Sequence, residues 1–458
     1  MKTNPFLMAP CLLGLLLTWS GAAVPAFPGA EGWGTTTPGG RNGKVLFVTS
    51  LGDSGPGTLR AALLTKGPRT ILFGVGGIIR LEKPIDMGGP DFSYLTVAGQ
   101  SAPGGGIAIT GSDFVLHNGV HDVVFRHLRF RACNEGPTVH SNCRGVVFDH
   151  GSFSWAADEN LDIYVDTTDV TISRCILAEG LINGDHVKGP GHSCGLIVGK
   201  GVDRVSMHHN FFTGNSARNP LLMGGNLKKW RDMHVIHPAF DFRNNLIYNA
   251  RGGNLHIMGG PLVNVIGNVF VRGPDSLPHV AEIGFPDIND AEMTTEGSQV
   301  YVLDNTGPHL TKGDPWSILY DETHRVWGPR PEMYRAGNPI PAPPVTTAPS
   351  GDVPRIVLAE AGALPHDETD LRLIREFHEG KGAAGAPDRT RTTPFSPPAA
   401  GTPAPDRDRD GMPDSWETEY HLDPAAGTDV WADPDKDGYG NLEEFLNGTD
   451  PQKAEALR

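Results

Sequence analysis

Basic side chains are in short supply: 38 Lys and Arg stand against 53 Asp and Glu in 458 residues, a formal net charge of −15. That balance argues against nucleic acid as a partner, which is gripped through a basic patch or stripe. Charged residues of either sign make up only 20% of the chain, whereas Gly reaches 59 and Pro 39. Such a composition points away from a helical protein and towards a turn-rich β protein. Long hydrophobic runs are also missing. The one sustained apolar stretch, Phe6 to Leu17, is too short to span a bilayer, so the chain is not expected to be transmembrane. With Lys2 before it and Val24-Pro25-Ala26 after it, this stretch reads as a signal peptide over residues 1–26. The expected location is therefore secreted, extracellular or periplasmic.

Cysteines number 5, and Cys11 lies in the leader. Cys133, Cys143, Cys175 and Cys194 remain. In an oxidising compartment they admit two bridges, with Cys133–Cys143 favoured because its ten-residue loop closes easily. The alternative is four thiols stacked in a β core.

What is present is repetition. "VVFRHL" (123–128), "VVFDHG" (146–151), "VTISRC" (170–175), "VSMHHN" (205–210), "FDFRNN" (240–245), "VNVIGN" (263–268) and "VYVLDN" (300–305) share one alternating pattern. The last four end in Asn210, Asn245, Asn268 and Asn305, and the seven end points are 23, 24, 35, 35, 23 and 37 residues apart. Short strands recurring at this interval with variable insertions are the signature of a solenoid, each turn burying alternate residues against its neighbours. Unequal spacing argues against a propeller. The expected fold is all-β: a right-handed single-stranded parallel β-helix over residues 27–337, its asparagines stacked as an amide ladder at a turn. The first open turn is expected to be capped by an N-terminal helix, Thr58 to Lys66. Residues 338–405 read as Pro-rich linkers flanking a helical segment (352–382), with Leu371, Leu373, Ile374 and Phe377 at helical spacing.

The last block, 406–458, holds 15 acidic and 5 basic residues. "DRDRDGMPDSWE" (406–417) and "DPDKDGYGNLEE" (433–444) both fit the twelve-position calcium loop. The ligands expected from that pattern are Asp406, Asp408, Asp410, Asp414 and Glu417 in the first, and Asp433, Asp435, Asp437, Asn441 and Glu444 in the second. The block resembles the paired EF-hand-like repeats of dockerins and thrombospondin type 3-like modules, which implies structural Ca2+ and a possible docking partner.

A second resemblance covers roughly residues 27–385. "AFPGAEGWGTTTPGGRNGKVLFVTSLGDSGPGTLRAAL" (26–63), "VVFDHGSFSW" (146–155), "DENLDIY" (158–164) and "HHNFFTGNSARNP" (208–220) resemble secreted pectate lyases of polysaccharide lyase family 1. The resemblance implies a parallel β-helix that cleaves polygalacturonate by calcium-assisted β-elimination, acting as a monomer on an acidic polysaccharide. The family's Asp-His pair falls on Asp149 and His150. Its calcium-binding pair falls on Asp158 and Asp162, its catalytic arginine on Arg218 ahead of Pro220, and its substrate-contacting lysine on Lys188. Lys188 is a candidate for catalysis as well as for substrate binding, and His192 joins it as a substrate-binding candidate. Where the family has another calcium aspartate this chain has none, and Glu135 or Asn134 is the substitute expected. Where it often has a second arginine, this chain has Leu221, Leu222 and Met223.

The residues set their own condition on the calcium pair. Leu161, Ile163 and Val165 alternate inward, so Asp162 faces out, and Asp158 reaches the same ion only if the chain bends near Glu159-Asn160. Four extended residues cover roughly 13 Å. His208 and His209 lie in a strand and read as packing residues. Two other classes compete: a non-catalytic carbohydrate-binding β-helix, and a β-helical glycoside hydrolase using Asp158, Glu159 and Asp162.

Overall fold

The computed structural model describes residues 24–185, 191–225, 235–286, 295–322, 325–328 and 334–455. Its strands fall into three sheets of 10, 10 and 8 strands, and all but one pairing is parallel. The chain visits the sheets in rotation. Strand His121–Arg126 lies in the first sheet, Arg129–Cys133 in the second and Thr138–Val139 in the third, and Arg144–Asp149 then pairs beside His121–Arg126. This is a right-handed parallel β-helix, with the hand that parallel crossovers almost always take.

The repeated motif explains the coil. Its inward residues stack in register (Phe125, Phe148, Ile172, Met207, Phe242, Val265 and Val302), all at most 6% exposed. The fifth position is a left-handed corner at every turn: His127, His150, Arg174, His209, Asn244, Gly267 and Asp304 have φ between 49° and 67°. Asparagine and aspartate tolerate that region better than most residues. The sixth position then delivers the amide ladder. Asn210, Asn245 and Asn268 each donate from Nδ2 to Oδ1 of the next asparagine, ending at Asn305, at 2.9–3.0 Å. Each also donates to a backbone carbonyl of the preceding turn, so these buried amides are satisfied.

At the first turn, helix Leu59–Leu63 inserts Leu59 and Leu63 into the core, with Thr58 Oγ1 accepting from Ala61 N–H. Cys133 and Cys143 are buried thiols with no disulfide between them, which corrects the expected Cys133–Cys143 bridge. Cys133 ends a second-sheet strand and donates to the Ile109 carbonyl. Cys143 precedes a first-sheet strand and donates to the His140 carbonyl. A short loop closes cheaply, but here its ends enter different walls.

The segment after the last turns runs back along the outside of the coil. Ile340 N–H donates to Asn264 Oδ1, Ala348 N–H to Asn244 Oδ1 and Ala363 N–H to Ser152 Oγ. The helical segment is two helices, Val353–Glu360 and Glu368–Glu379. Val353, Val357, Leu358 and Leu373 pack on Ile176, Phe211, Leu246 and Tyr248 of the second sheet, whereas Leu371 is half exposed. Beneath the second helix, fully buried Arg131 is neutralised by Asp370 at 2.7 Å and Asp367 at 3.2 Å. Gly105 N–H then donates to the Ala399 carbonyl at 2.8 Å. The expected linkers are thus fitted to the coil's surface. No helix among the described residues is long and apolar enough to cross a membrane.

Candidate active site on the third sheet

In the third sheet Val139, Ile163, Val198, Leu222 and Ile257 form one stacked line, buried in the core. The adjacent line therefore faces outward: Thr138, Asp162, Ile197, Leu221, His256, Gly284 and Tyr320. This line forms the floor of a groove along the coil. Towards its later turns His256, His279, Tyr320, Glu322 and Arg325 line a cleft of about 340 Å³.

The entry edge of the sheet is where polar residues crowd. Asp158, Glu159 and Asn160 are consecutive and all buried. Asn160 turns into the corner, accepting from Ala156 N–H and donating to the Ala178 carbonyl and to Asn215 Oδ1 at 3.1 Å. Asn215 donates to Asn219 Oδ1 at 2.9 Å, and Asn219 donates to the Gly253 carbonyl at 2.8 Å. This second amide chain joins the residue after Glu159 to the residue after Arg218. It fixes both neighbours, and Arg218 forms an ion pair with Glu159. Arg218 itself takes a left-handed φ of 57°, and its carbonyl accepts from Leu196 N–H at 2.8 Å. A bulky side chain holds that backbone only where surrounding contacts impose it. Burial lowers the Arg218 pKa below that of a free guanidinium, while the Asp158 charge opposes the shift.

Asp158 has a different neighbourhood from the one expected. His192 Nδ1 lies 3.1 Å from its Oδ1, and Asp158, His192 and Cys194 each bring a potential ligand atom within 4.8 Å of the others. Glu135, Asp158 and Asp162 do not converge as one such three-acid cluster among the described residues. Asp158 sits before strand Glu159–Tyr164 and Asp162 lies four residues on in an extended chain. Glu135 presents its backbone N–H to Asp113, one turn earlier. Lys188 lies outside the described residues. Asp149 and His150 sit away from the groove, at the corner leaving the first sheet. There Asp149 Oδ2 accepts from Arg126 at 2.9 Å and lies 2.7 Å from His150 Nδ1, an arrangement that holds its carboxyl well below the usual range despite burial. His208 and His209 pack as expected, ring nitrogen to ring nitrogen at 3.0 Å.

A second collection of acids lies in the C-terminal block. Asp406, Asp408 and Asp410 converge, as do Asp433, Asp435 and Asp437. Glu417 joins Asp410 together with Asp429, and Glu444 joins Asp437 together with Glu455. Asp429 and Glu455 fall outside the twelve-position pattern, so no spacing rule pointed to them. Asp414, expected as a ligand, instead accepts from Arg407 N–H at 2.8 Å and belongs to neither cluster. Asn441 is fully buried with Oδ1 lacking a hydrogen-bond partner. Burial, reinforced by neighbouring acids, raises Asp410 to about 6 and Glu417 and Glu444 to about 7.

No family model matches the chain. Among curated proteins it is 31% identical to a probable pectate lyase C of Aspergillus flavus, over 98% of this chain and 99% of that one. A probable pectate lyase C of Aspergillus oryzae is likewise 31% identical, over 98% and 99%. Among solved structures, jun a 1, the major cedar pollen allergen, shares the fold, with a TM-score of 0.50 and 16% identity. That match covers 73% of this chain and 93% of the allergen.

Proposed function

Because the chain belongs to the pectate lyase family, we propose that it cleaves polygalacturonate by β-elimination in the third-sheet groove, with Arg218 at the reacting carbon. The observation that carries this reading is the seat of Arg218. A left-handed backbone, the Asn160–Asn215–Asn219 amide chain and the Glu159 ion pair hold one half-buried guanidinium at the groove edge. An arginine serving only solubility has no need of such a seat.

The chemistry removes the proton on C5, next to the uronate carboxylate. The electron pair forms the C4=C5 double bond as the C4–O bond breaks, and the departing oxygen takes a proton from water. Arg218 serves this step in two ways. Burial lowers its pKa, so a rising pH increases the neutral fraction able to accept the proton. In its charged form it stabilises the enolate-like charge that develops on the substrate. Glu159 and the amide chain keep the guanidinium directed, and the apolar floor of Ile197 and Leu221 excludes water beneath it.

Calcium is the proposed cofactor, and its fit differs between the two acidic regions. When bound beside a uronate, the ion withdraws charge and acidifies the proton. Around Asp158, however, the convergent donors are an imidazole nitrogen and a thiol sulfur, whereas calcium takes six to eight oxygens. The groove residues described do not make a calcium cage. The C-terminal loops do offer oxygen cages. A polymeric substrate and the leader-like residues 1–26 together support action outside the cell.

Incubating the full chain with polygalacturonate and with methylated pectin, with and without added calcium, tests this reading. A rise in ultraviolet absorbance from the unsaturated uronate is the expected result. New reducing ends without absorbance would make it a hydrolase, and binding without either would make it a carbohydrate-binding protein.

A further inference from the structure

The C-terminal block contains buried acids with nothing to neutralise them. Glu417 is fully buried and neither of its carboxylate oxygens has a hydrogen-bond partner. The same holds for both oxygens of Asp408, Oδ2 of Asp410 and Oδ1 of Asp429. In the second cluster Oε1 of Glu444, Oδ2 of Asp435, Oδ1 of fully buried Asn441 and Oε2 of Glu455 are open in the same way. An unpaired buried charge costs several kcal/mol or about that order, and like charges held together add to it. Oxygens that converge without donors describe the space of a hard cation, and the donor set, all carboxylate and amide oxygen, is that of calcium.

The block is also attached to the rest of the molecule. Met412 and Leu442, both fully buried, pack against Leu72 and Ala98 on the outer face of the first sheet, with Val45, Phe47, Trp416, Trp431 and Phe445 around them. Arg41 Nε donates to both oxygens of Glu443 at 2.9 Å. Trp431 Nε1 donates to the Gly43 carbonyl at 3.0 Å, and Arg126 donates to Asn447 Oδ1. Cation ligands and docking residues interleave on one short helix, Asn441–Asn447. Glu444 turns to the acids and Asn441 donates to the Asp429 carbonyl, while Leu442, Glu443 and Asn447 grip the coil. The first loop repeats the arrangement, with Asp410 and Met412 two residues apart.

We propose that residues 406–455 form a two-calcium clasp whose docking partner is the first turns of this chain's own coil. One ion is held by Asp406, Asp408, Asp410, Glu417 and Asp429, and the other by Asp433, Asp435, Asp437, Asn441, Glu444 and Glu455. Loading the ions orders the helix that carries Leu442 and Glu443, and so fastens the end of the chain over the strands Lys44–Val48, Arg69–Phe73 and Leu95–Ala98. The inference does not depend on the groove's chemistry, and it makes the expected docking partner this chain's own coil.

The test uses the full chain, stripped with a chelator and titrated with calcium chloride alone. Wild type is expected to bind two more calcium ions than the Glu417→Gln/Glu444→Gln double variant. Hydrogen exchange in strands 44–48 and 69–73 is expected to slow at least tenfold on loading in wild type and to stay unchanged in the variant. Equal stoichiometry in the two proteins would overturn the sites. Two ions bound with no change in exchange at those strands would overturn the clasp. Should the double variant fail to fold, Asp429→Asn carries the same test: weaker calcium binding is expected, and unaltered affinity would overturn the ligand set.

Discussion

Asp158 and Glu159 at the groove are as deeply buried as Glu417 and Glu444 in the C-terminal block, yet the two pairs live in opposite surroundings. The groove acids meet His192 and Arg218, and the residues beside them are tied by an amide chain. In the C-terminal block Glu417 meets only other carboxylates. At the groove and at the Asp149 corner, buried charge is met locally by arginine, histidine or amide. The block's Glu417 and its acidic neighbours instead converge on one another with no donor between them. Identical side chains at equal depth thus point to different chemistry, and the presence or absence of a donor tells them apart.

The largest effect that should sharpen this contrast is on the coil at low pH. Burial lowers His127 and His208 to about 3 and His209 to about 4 from 6.5, with Arg126, Arg129, Arg174 and neighbouring histidines adding to the shift and Asp149 and Glu360 opposing it. The fold keeps these rings neutral while the unfolded chain protonates them. Their contribution is therefore present above pH 6.5 and is lost as the pH falls towards 3–4. Asp149, held below 3.8, adds a loss of the same sign below that value. Three buried rings acting together should remove on the order of 5 kcal/mol by about pH 4.5, read as a falling denaturant midpoint. A flat profile between pH 7 and 4.5 would break the contrast.

Next in size is Asn245→Ala. It leaves the Asn210 side-chain amide, Asn268 Oδ1 and the Met207 carbonyl without the Asn245 side chain as partner, so a loss of about 3 kcal/mol is expected from urea unfolding, with or without calcium. Asp410→Asn should behave otherwise. With calcium it should weaken ion binding on the order of tenfold. Without calcium it should slightly stabilise the block, because one member of a repelling cluster is gone. A change of the same sign in both conditions would mean the cluster holds no ion. The smallest effect is expected for Asp414→Asn, which keeps an acceptor for Arg407 N–H and should leave calcium affinity within about twofold and stability within about 0.5 kcal/mol.

How far the sequence revealed these regions follows from the range of the interactions. The coil and its asparagine ladder were legible because each turn repeats a six-residue pattern whose corner and ladder positions are fixed. Arg218 stood out from its Asn-Pro context, and the structure adds its left-handed backbone and its ion pair with Glu159. The Asn160–Asn215–Asn219 chain was not legible, since its members lie on unlike segments with no common spacing. The same is true of Cys194 beside Asp158, of Asp429 and of Glu455. Loop-closure entropy favoured a Cys133–Cys143 bridge, but the coil sends the two side chains into separate walls. The course of residues 338–405 was hidden for a further reason. A Pro-rich extended segment has no periodicity of its own, and its partners, such as Asn264, Ser152 and Gly105, lie between 76 and 294 residues away.

The central claim, that the acids of the groove serve catalysis through Arg218 while those of the C-terminal block serve the fold, is tested most directly by the turnover of Arg218→Lys on polygalacturonate. The substitution keeps the positive charge but loses the planar fork and the reach held by Glu159. The rate of unsaturated product formation should fall at least about a hundredfold, with the unfolding midpoint and substrate binding nearly unchanged. Near-normal turnover in that variant would contradict the account.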